Sequence, residues 1–202
     1  MNSGFADSHV DQAQYLNDVD FLQFNDGPAA QSFKQDHANI SGASVFLFAS
    51  TDINASPSGT VTASLFDTLG GSPILSASGL GTAGSWLDIY WPAVAIVPSQ
   101  TYYLVFTSPD SNLHLAGMEV ITDPNFNGGL PFDPYDKGNA FTTSGFVAWD
   151  GNDAPGPGAD LAFMTHYDDG TRTPTHNTPD GGSTLAILGL SFTLLGIVRS
   201  KR

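Results

Sequence analysis

Cysteine is absent from this 202-residue chain. Its absence removes disulfide scaffolds, thiolate zinc sites and cysteine nucleophiles together. Stability is left to a hydrophobic core, which a chain of this length can build without staples. Basic residues are nearly as scarce, with six Lys and Arg against twenty Asp and Glu and a formal net charge of −14. Phosphate binding needs a basic surface that releases counterions, so the balance argues against a nucleic-acid partner. Glutamate is all but missing: Glu119 is the single exception among acids that are otherwise Asp. Before residue 199 the only basic residues are Lys34, Lys137 and Arg172. Glu, Lys and Arg are the usual helix builders, whereas the short Asp carboxylate competes for nearby backbone N–H groups and collects in turns. A body so composed is expected to be all-β.

What is present supports that class. Aromatics make up 11% of the chain, fourteen of them Phe, too many for a polymer that fails to collapse. Short β-rich runs recur at residues 30–33, 44–49, 60–67, 73–78, 86–91, 101–108, 113–121, 141–149 and 161–167. Val61, Ala63 and Leu65 alternate with Thr62 and Ser64, the period-two pattern of a half-buried strand. Residues 86–91 and 101–106 are aromatic or β-branched on both faces, as suits central strands or strands with one binding face. Explicit turn signals punctuate them: Ser56-Pro57-Ser58-Gly59, Gly70-Gly71-Ser72-Pro73, Val97-Pro98-Ser99-Gln100 and Asn127-Gly128-Gly129. Many short strands without an amphipathic helix predict a jelly-roll-like antiparallel β-sandwich. The expected domain organisation is a loose N-terminal segment at 1–28, a sandwich at 29–167, a polar linker at 168–177 and a separate tail at 178–202.

That tail inverts the chemistry of the body. From Gly181 to Val198 eighteen residues carry no charge, and Arg199, Lys201 and Arg202 close the chain. As a helix the run spans about 27 Å, close to the roughly 30 Å hydrocarbon thickness of a bilayer. A single transmembrane helix is expected, with the three cations as a cytoplasmic stop and the acidic body on the opposite side.

Thr178-Pro179-Asp180-Gly181-Gly182-Ser183-Thr184, then the hydrophobic run, then the basic end, resembles the PEP-CTERM class of bacterial sorting tails. It is closest to the variant written Val-Pro-Asp-Ser/Gly-Gly-Ser-Thr, from which Thr178 departs at the first position. The resemblance implies export, processing by a membrane exosortase near residues 179–182, and attachment to or release from the cell surface. Pro and Gly suit such a site, because they leave an extended, accessible backbone just outside the bilayer. Export also requires a basic, then apolar leader. Residues 1–11 have neither feature, so an in-frame apolar signal encoded upstream of Met1 is expected.

The body more loosely resembles the jelly-roll domains found on such surface proteins, which are akin to carbohydrate-binding modules. Ala30-Gln31-Ser32-Phe33, the stretch from Ile96 through Pro98 to Phe106, and Asp160-Leu161-Ala162-Phe163 carry the likeness. It implies the fold more than a ligand, and the leading expectation is a non-catalytic protein of the envelope or extracellular matrix that acts through adhesion or contact with extracellular polysaccharide. Sugar binding needs flat aromatic faces beside amides or carboxylates, and Tyr135, Trp91 and Trp149 are the candidate platform, with core packing the ordinary alternative for each Trp. Tyr135, in a polar loop, is expected to be the most exposed of them. Ca²⁺ seeks six to eight oxygens, and two clusters offer them: Asp18, Asp20, Asn25 and Asp26, then Asp150, Asn152, Asp153 and Asp160. The ordinary alternative is that these are solvated turn aspartates. No nucleophile elbow, His-Glu-x-x-His or phosphate-binding glycine loop is found, so no catalytic residues are assigned. A calcium-stabilised carbohydrate-binding module and a secreted hydrolase are the rival readings.

Overall fold

The computed structural model describes residues 8–17, 19–24, 27–49, 57–118, 135–142, 147–148 and 159–170. Met1–Gly170 forms one compact unit and Thr171–Arg202 a second. The second, with the expected sorting motif, helix and basic stop, lies outside the described residues. Among the described residues no helix is long and apolar enough to cross a membrane.

The body is all-β, as the composition predicts, and every strand pair among the described residues is antiparallel. Thirteen strands are described: β1 (Ser8–Gln14), β2 (Val19–Gln23), β3 (Ala29–Lys34), β4 (Asn39–Ala49), β5 (Ser58–Phe66), β6 (Leu75–Thr82), β7 (Ser85–Ala95), β8 (Thr101–Thr107), β9 (Leu113–Met118), β10 (Ala140–Thr142), β11 (Val147–Ala148), β12 (Asp160–Leu161) and β13 (Phe163–Asp168). One sheet is organised around the long β4. Strand β7 lies along one side of it, and its other side is shared between β13, which leads on to β1, and β9, which leads on to β2 and β12. The other sheet runs β11-β10-β3-β8-β5-β6.

The core lies between the sheets. Phe33, Leu65, Leu104 and Phe106 from one sheet pack with Val45, Leu47, Leu115, Leu161 and Phe163 from the other. A fully buried side chain of this size contributes about 1.5–3 kcal/mol. The alternation read at 61–65 holds: Val61, Ala63 and Leu65 are buried, and Thr62 and Ser64 pair outward with Ser78 and Ser76 at 2.8 and 2.7 Å. Along β6 the inward positions pass from Leu75 and Ala77 to Gly79 and Gly81. A Cβ on Gly81 would strike Leu47 Cδ1 and stand 3.0 Å from Leu87 Cδ2, so glycine lets this edge lie close over β7 without displacing those leucines. In the turn before β8, Gln100 N–H donates to Val97 O and Ser99 takes φ 64°. That is the type II signature, with Pro98 at the second position.

The N-terminal segment departs from expectation. Residues 1–28 are not loose throughout, because β1 pairs with β13 and β2 with β9. The side chains that β1 buries are Gln12 and Gln14, so apolar patterning does not reveal it. Gln14 Nε2 donates to the carbonyls of Leu161 (3.2 Å) and Leu16 (2.9 Å). Asp11 fastens the same strand to the β3–β4 turn, accepting from His37 N and His37 Nδ1, both at 2.9 Å. Burial tends to raise the Asp11 carboxyl, but donors from Gln12, His37 and Asp36 outweigh it and hold the group below its usual 3.8. At the other end the sandwich outlasts residue 167, since Asp168 and Asn39 exchange two hydrogen bonds of 2.9 Å.

Candidate functional site

Strands β3 and β8 pair with Ser32 opposite Tyr103 and Lys34 opposite Thr101. Their alternate residues Phe33, Tyr102 and Leu104 are buried in the core, so by the two-residue period these four lie on the outer face of the sheet. Strand β10 lies beside β3, and Phe141 meets the Tyr103 ring edge-on at 5.9 Å. The segment from Asp136 to Asn139 completes an open cleft of about 430 Å3 over this face. Two half-buried aromatic rings, two ammonium groups, a carboxylate (Asp136) and an amide (Asn139) therefore border one concavity.

That segment is held from beneath by Tyr135. The expectation that Tyr135 is the exposed ligand platform is wrong: its ring is 7% accessible and packs edge-on against Phe163 at 5.1 Å. Its hydroxyl donates to Gln12 Oε1 (3.2 Å) and accepts from Lys34 N (3.4 Å). Burial pushes the phenol well above its usual 10.0. A loop rich in Pro and Asp reads as solvated, yet its one aromatic is what anchors it.

Asp160, a candidate calcium ligand, is a buried acceptor with 0% exposure. Its Oδ1 receives Gln31 Nε2 at 2.7 Å and its Oδ2 receives Tyr135 N at 3.0 Å. Gln31 Oε1 in turn accepts from Leu161 N at 2.8 Å, so this polar cluster joins the two sheets and the loop. The other calcium candidates, Asp18, Asn25, Asp26, Asp150, Asn152 and Asp153, lie outside the described residues, as does the side chain of Asp20.

Trp91 is likewise core rather than platform: it is 4% exposed, and its Nε1 donates to Ile40 O at 3.2 Å. The strand period puts Trp91 inward with Leu87 and Ile89, and puts Trp86 and Tyr90 outward. Trp86 meets Phe46 edge-on at 5.5 Å and Tyr15 at 6.2 Å, an aromatic strip on the outer face of the β4 sheet. Trp149 lies outside the described residues.

One cluster contains the residue types of a hydrolase. Ser44 Oγ donates to Asp88 Oδ1 at 2.6 Å and stands 2.6 Å from His166 Nε2. A hydroxyl carries one proton, so with that proton on Asp88 the ring nitrogen must be the donor. Nδ1 is then a buried acceptor without a partner among the described residues. A nucleophile needs the reverse, an imidazole lone pair on the serine and the carboxylate on the far nitrogen. Here the carboxylate sits on the serine itself, and Ser44 is 0% exposed. The arrangement orders β4, β7 and β13 without activating a nucleophile.

This cluster has a pH signature. Burial holds the His166 ring below its usual 6.5, against the opposing pull of Asp88. On unfolding the ring returns to its usual value and binds protons that the folded state excludes. Stability is therefore full above pH 6.5 and declines as the pH falls below that value. Thermal midpoints taken from about pH 8 to about pH 5 will show the decline, and His166→Gln will remove it. An equal decline in the variant would assign it to another group.

Sequence reading missed the cleft residues Lys34, Tyr103, Lys137 and Phe141. Tyr103 was legible as one face of a two-sided aromatic strand, but nothing local tells which face is covered. Lys34 and Lys137 are a hundred residues apart, and only the β3–β10 pairing unites them.

No curated protein matches the chain. Residues 179–202 match the VPDSG-CTERM motif family, in agreement with the three-part pattern of polar motif, apolar run and basic end. The protein thus carries at its C-terminus a PEP-CTERM-like exosortase sorting signal, the mark of a chain exported and sorted to the cell surface.

Proposed function

We propose that this is a non-catalytic, jelly-roll-like β-sandwich protein of the cell envelope or extracellular matrix. An exosortase-type enzyme cuts it near residues 179–182, after a transmembrane helix over the apolar run has held it at the membrane. The observation that carries this reading is the sorting signal at residues 179–202. The acidic, cysteine-free body suits a solvated exterior life, because a high net charge of one sign keeps protein molecules apart. Contact with extracellular polysaccharide is assigned to the outer face of β3 and β8. There aromatic rings and polar groups share a concavity, the combination that sugar binding needs. The inverted Ser44–His166–Asp88 cluster, whose serine and histidine are buried, supports the non-catalytic reading over a hydrolase.

Processing supplies the test. In intact cells the body is digested by added protease, and mass spectrometry of the mature form finds no residues beyond about Gly182. Replacing Pro179, Asp180 and Gly181 by alanine leaves an uncut chain in the membrane fraction. Full-length wild-type protein recovered from the cytosol would overturn the reading.

A further inference from the structure

Lysine and arginine are so few that their placement carries information. Of the six, only Lys34 and Lys137 precede residue 171, where all the acids except Asp180 also lie. Both lysines line the same cleft. Lys34 makes no ion pair among the described residues. Lys137 Nζ holds Gln12 Oε1 at 3.1 Å and Asp36 Oδ2 at 3.4 Å, which leaves one of its three N–H donors. Asp136 is the one carboxylate on the cleft wall. Among the described residues that line the cleft, cationic side chains therefore outnumber anionic ones, Lys34 and Lys137 against Asp136.

We propose that the cleft binds an acidic saccharide, a uronate whose carboxylate is held by Lys34 and Lys137 while its ring lies against Tyr103 and Phe141. This rests on the polysaccharide-contact reading above and gives it a chemical class. A carboxylate accepts charge-assisted hydrogen bonds from ammonium groups, about twice as strong as neutral ones. The aromatic rings supply the apolar surface for the C–H face of a pyranose. A neutral sugar would leave Lys34 without a counter-charge among the described residues, while Lys137 would keep only Asp36. The acidity of the rest of the body opposes a long polyanion, but at physiological ionic strength that field is screened beyond about 8 Å. The cleft therefore selects a short uronate segment or a chain end over an extended polymer.

Titration calorimetry on the full-length chain, with oligogalacturonate and with the same oligomer fully methyl-esterified, decides the matter. The two probes share a backbone and differ in charge. The acid form binds about tenfold or more tightly, Lys34→Gln and Lys137→Gln each weaken it by a similar factor, and the double variant no longer distinguishes the two probes. Lys34→Arg, which keeps the charge, retains the preference. Circular dichroism melts confirm that the variants are folded. Equal binding of both probes overturns the acidic assignment while leaving saccharide contact standing. Binding of neither overturns both, and a preference unchanged in the folded double variant places the carboxylate elsewhere.

Discussion

Asp160→Ala is expected to lower the unfolding free energy by about 3–5 kcal/mol, because it takes the acceptor from two buried donors at once. Its carboxylate is the acceptor for Gln31 Nε2 and for the backbone N–H of Tyr135, at a site that water does not reach. Each orphaned donor costs about 1–3 kcal/mol. The loss spreads further, because Gln31 is also the acceptor for Leu161 N and so ties β3 in one sheet to β12 in the other. Asp160→Asn keeps the shape but turns one oxygen into a donor facing another donor, so it will cost roughly half as much or more. Urea unfolding followed by tryptophan fluorescence measures both. A loss under about 1 kcal/mol for the alanine variant would mean that the cluster relaxes or admits water, and that Asp160 does not join the sheets.

Gly138→Ala is expected to cost about 3 kcal/mol and to open the cleft. A Cβ at this position would fall on the backbone carbonyl oxygen of Ser32, 2.7 Å from its carbonyl carbon and 3.0 Å from Tyr135 Cε1. Ser32 cannot retreat, because β3 is pinned between β8 and β10. The segment must lift instead, losing the bond from Ser32 N to Asn139 O (2.9 Å) and that from Asn139 N to Ser32 Oγ (2.8 Å). Faster amide exchange at Ser32 and Asn139, with a lower unfolding midpoint, would show this. Lys137 rides on the same segment, so saccharide binding should fall even in the folded fraction. Native exchange rates in the variant would show that the close approach is not required.

The two expectations meet at one structural point. Asp160 holds the start of the 135–139 segment and Gly138 allows its middle to lie on β3, so both set where Lys137 stands relative to Lys34. A binding surface assembled from distant parts of the chain is positioned by buried polar groups and a bare backbone as much as by its own side chains.

Much of the body was legible in the amino-acid order because strands write a period-two pattern and turns announce themselves chemically. Residues 58–66 and 85–95 show it, as does the turn at Pro98 and Ser99. The sorting tail was legible for a related reason. It is read by machinery outside the fold as a linear string, so all its information lies in consecutive residues. The first strand was hidden because what it buries is glutamine, whose hydrogen bonds exist only once Leu161 and Thr165 are beside it. Tyr135 and Trp91 looked like surface platforms because an aromatic side chain reads the same whether a sheet face is covered or bare. Which face is covered, and that two lone lysines a hundred residues apart share a cleft, are facts about strand pairing. Pairing depends on contacts between distant segments, so only the tertiary structure could decide them.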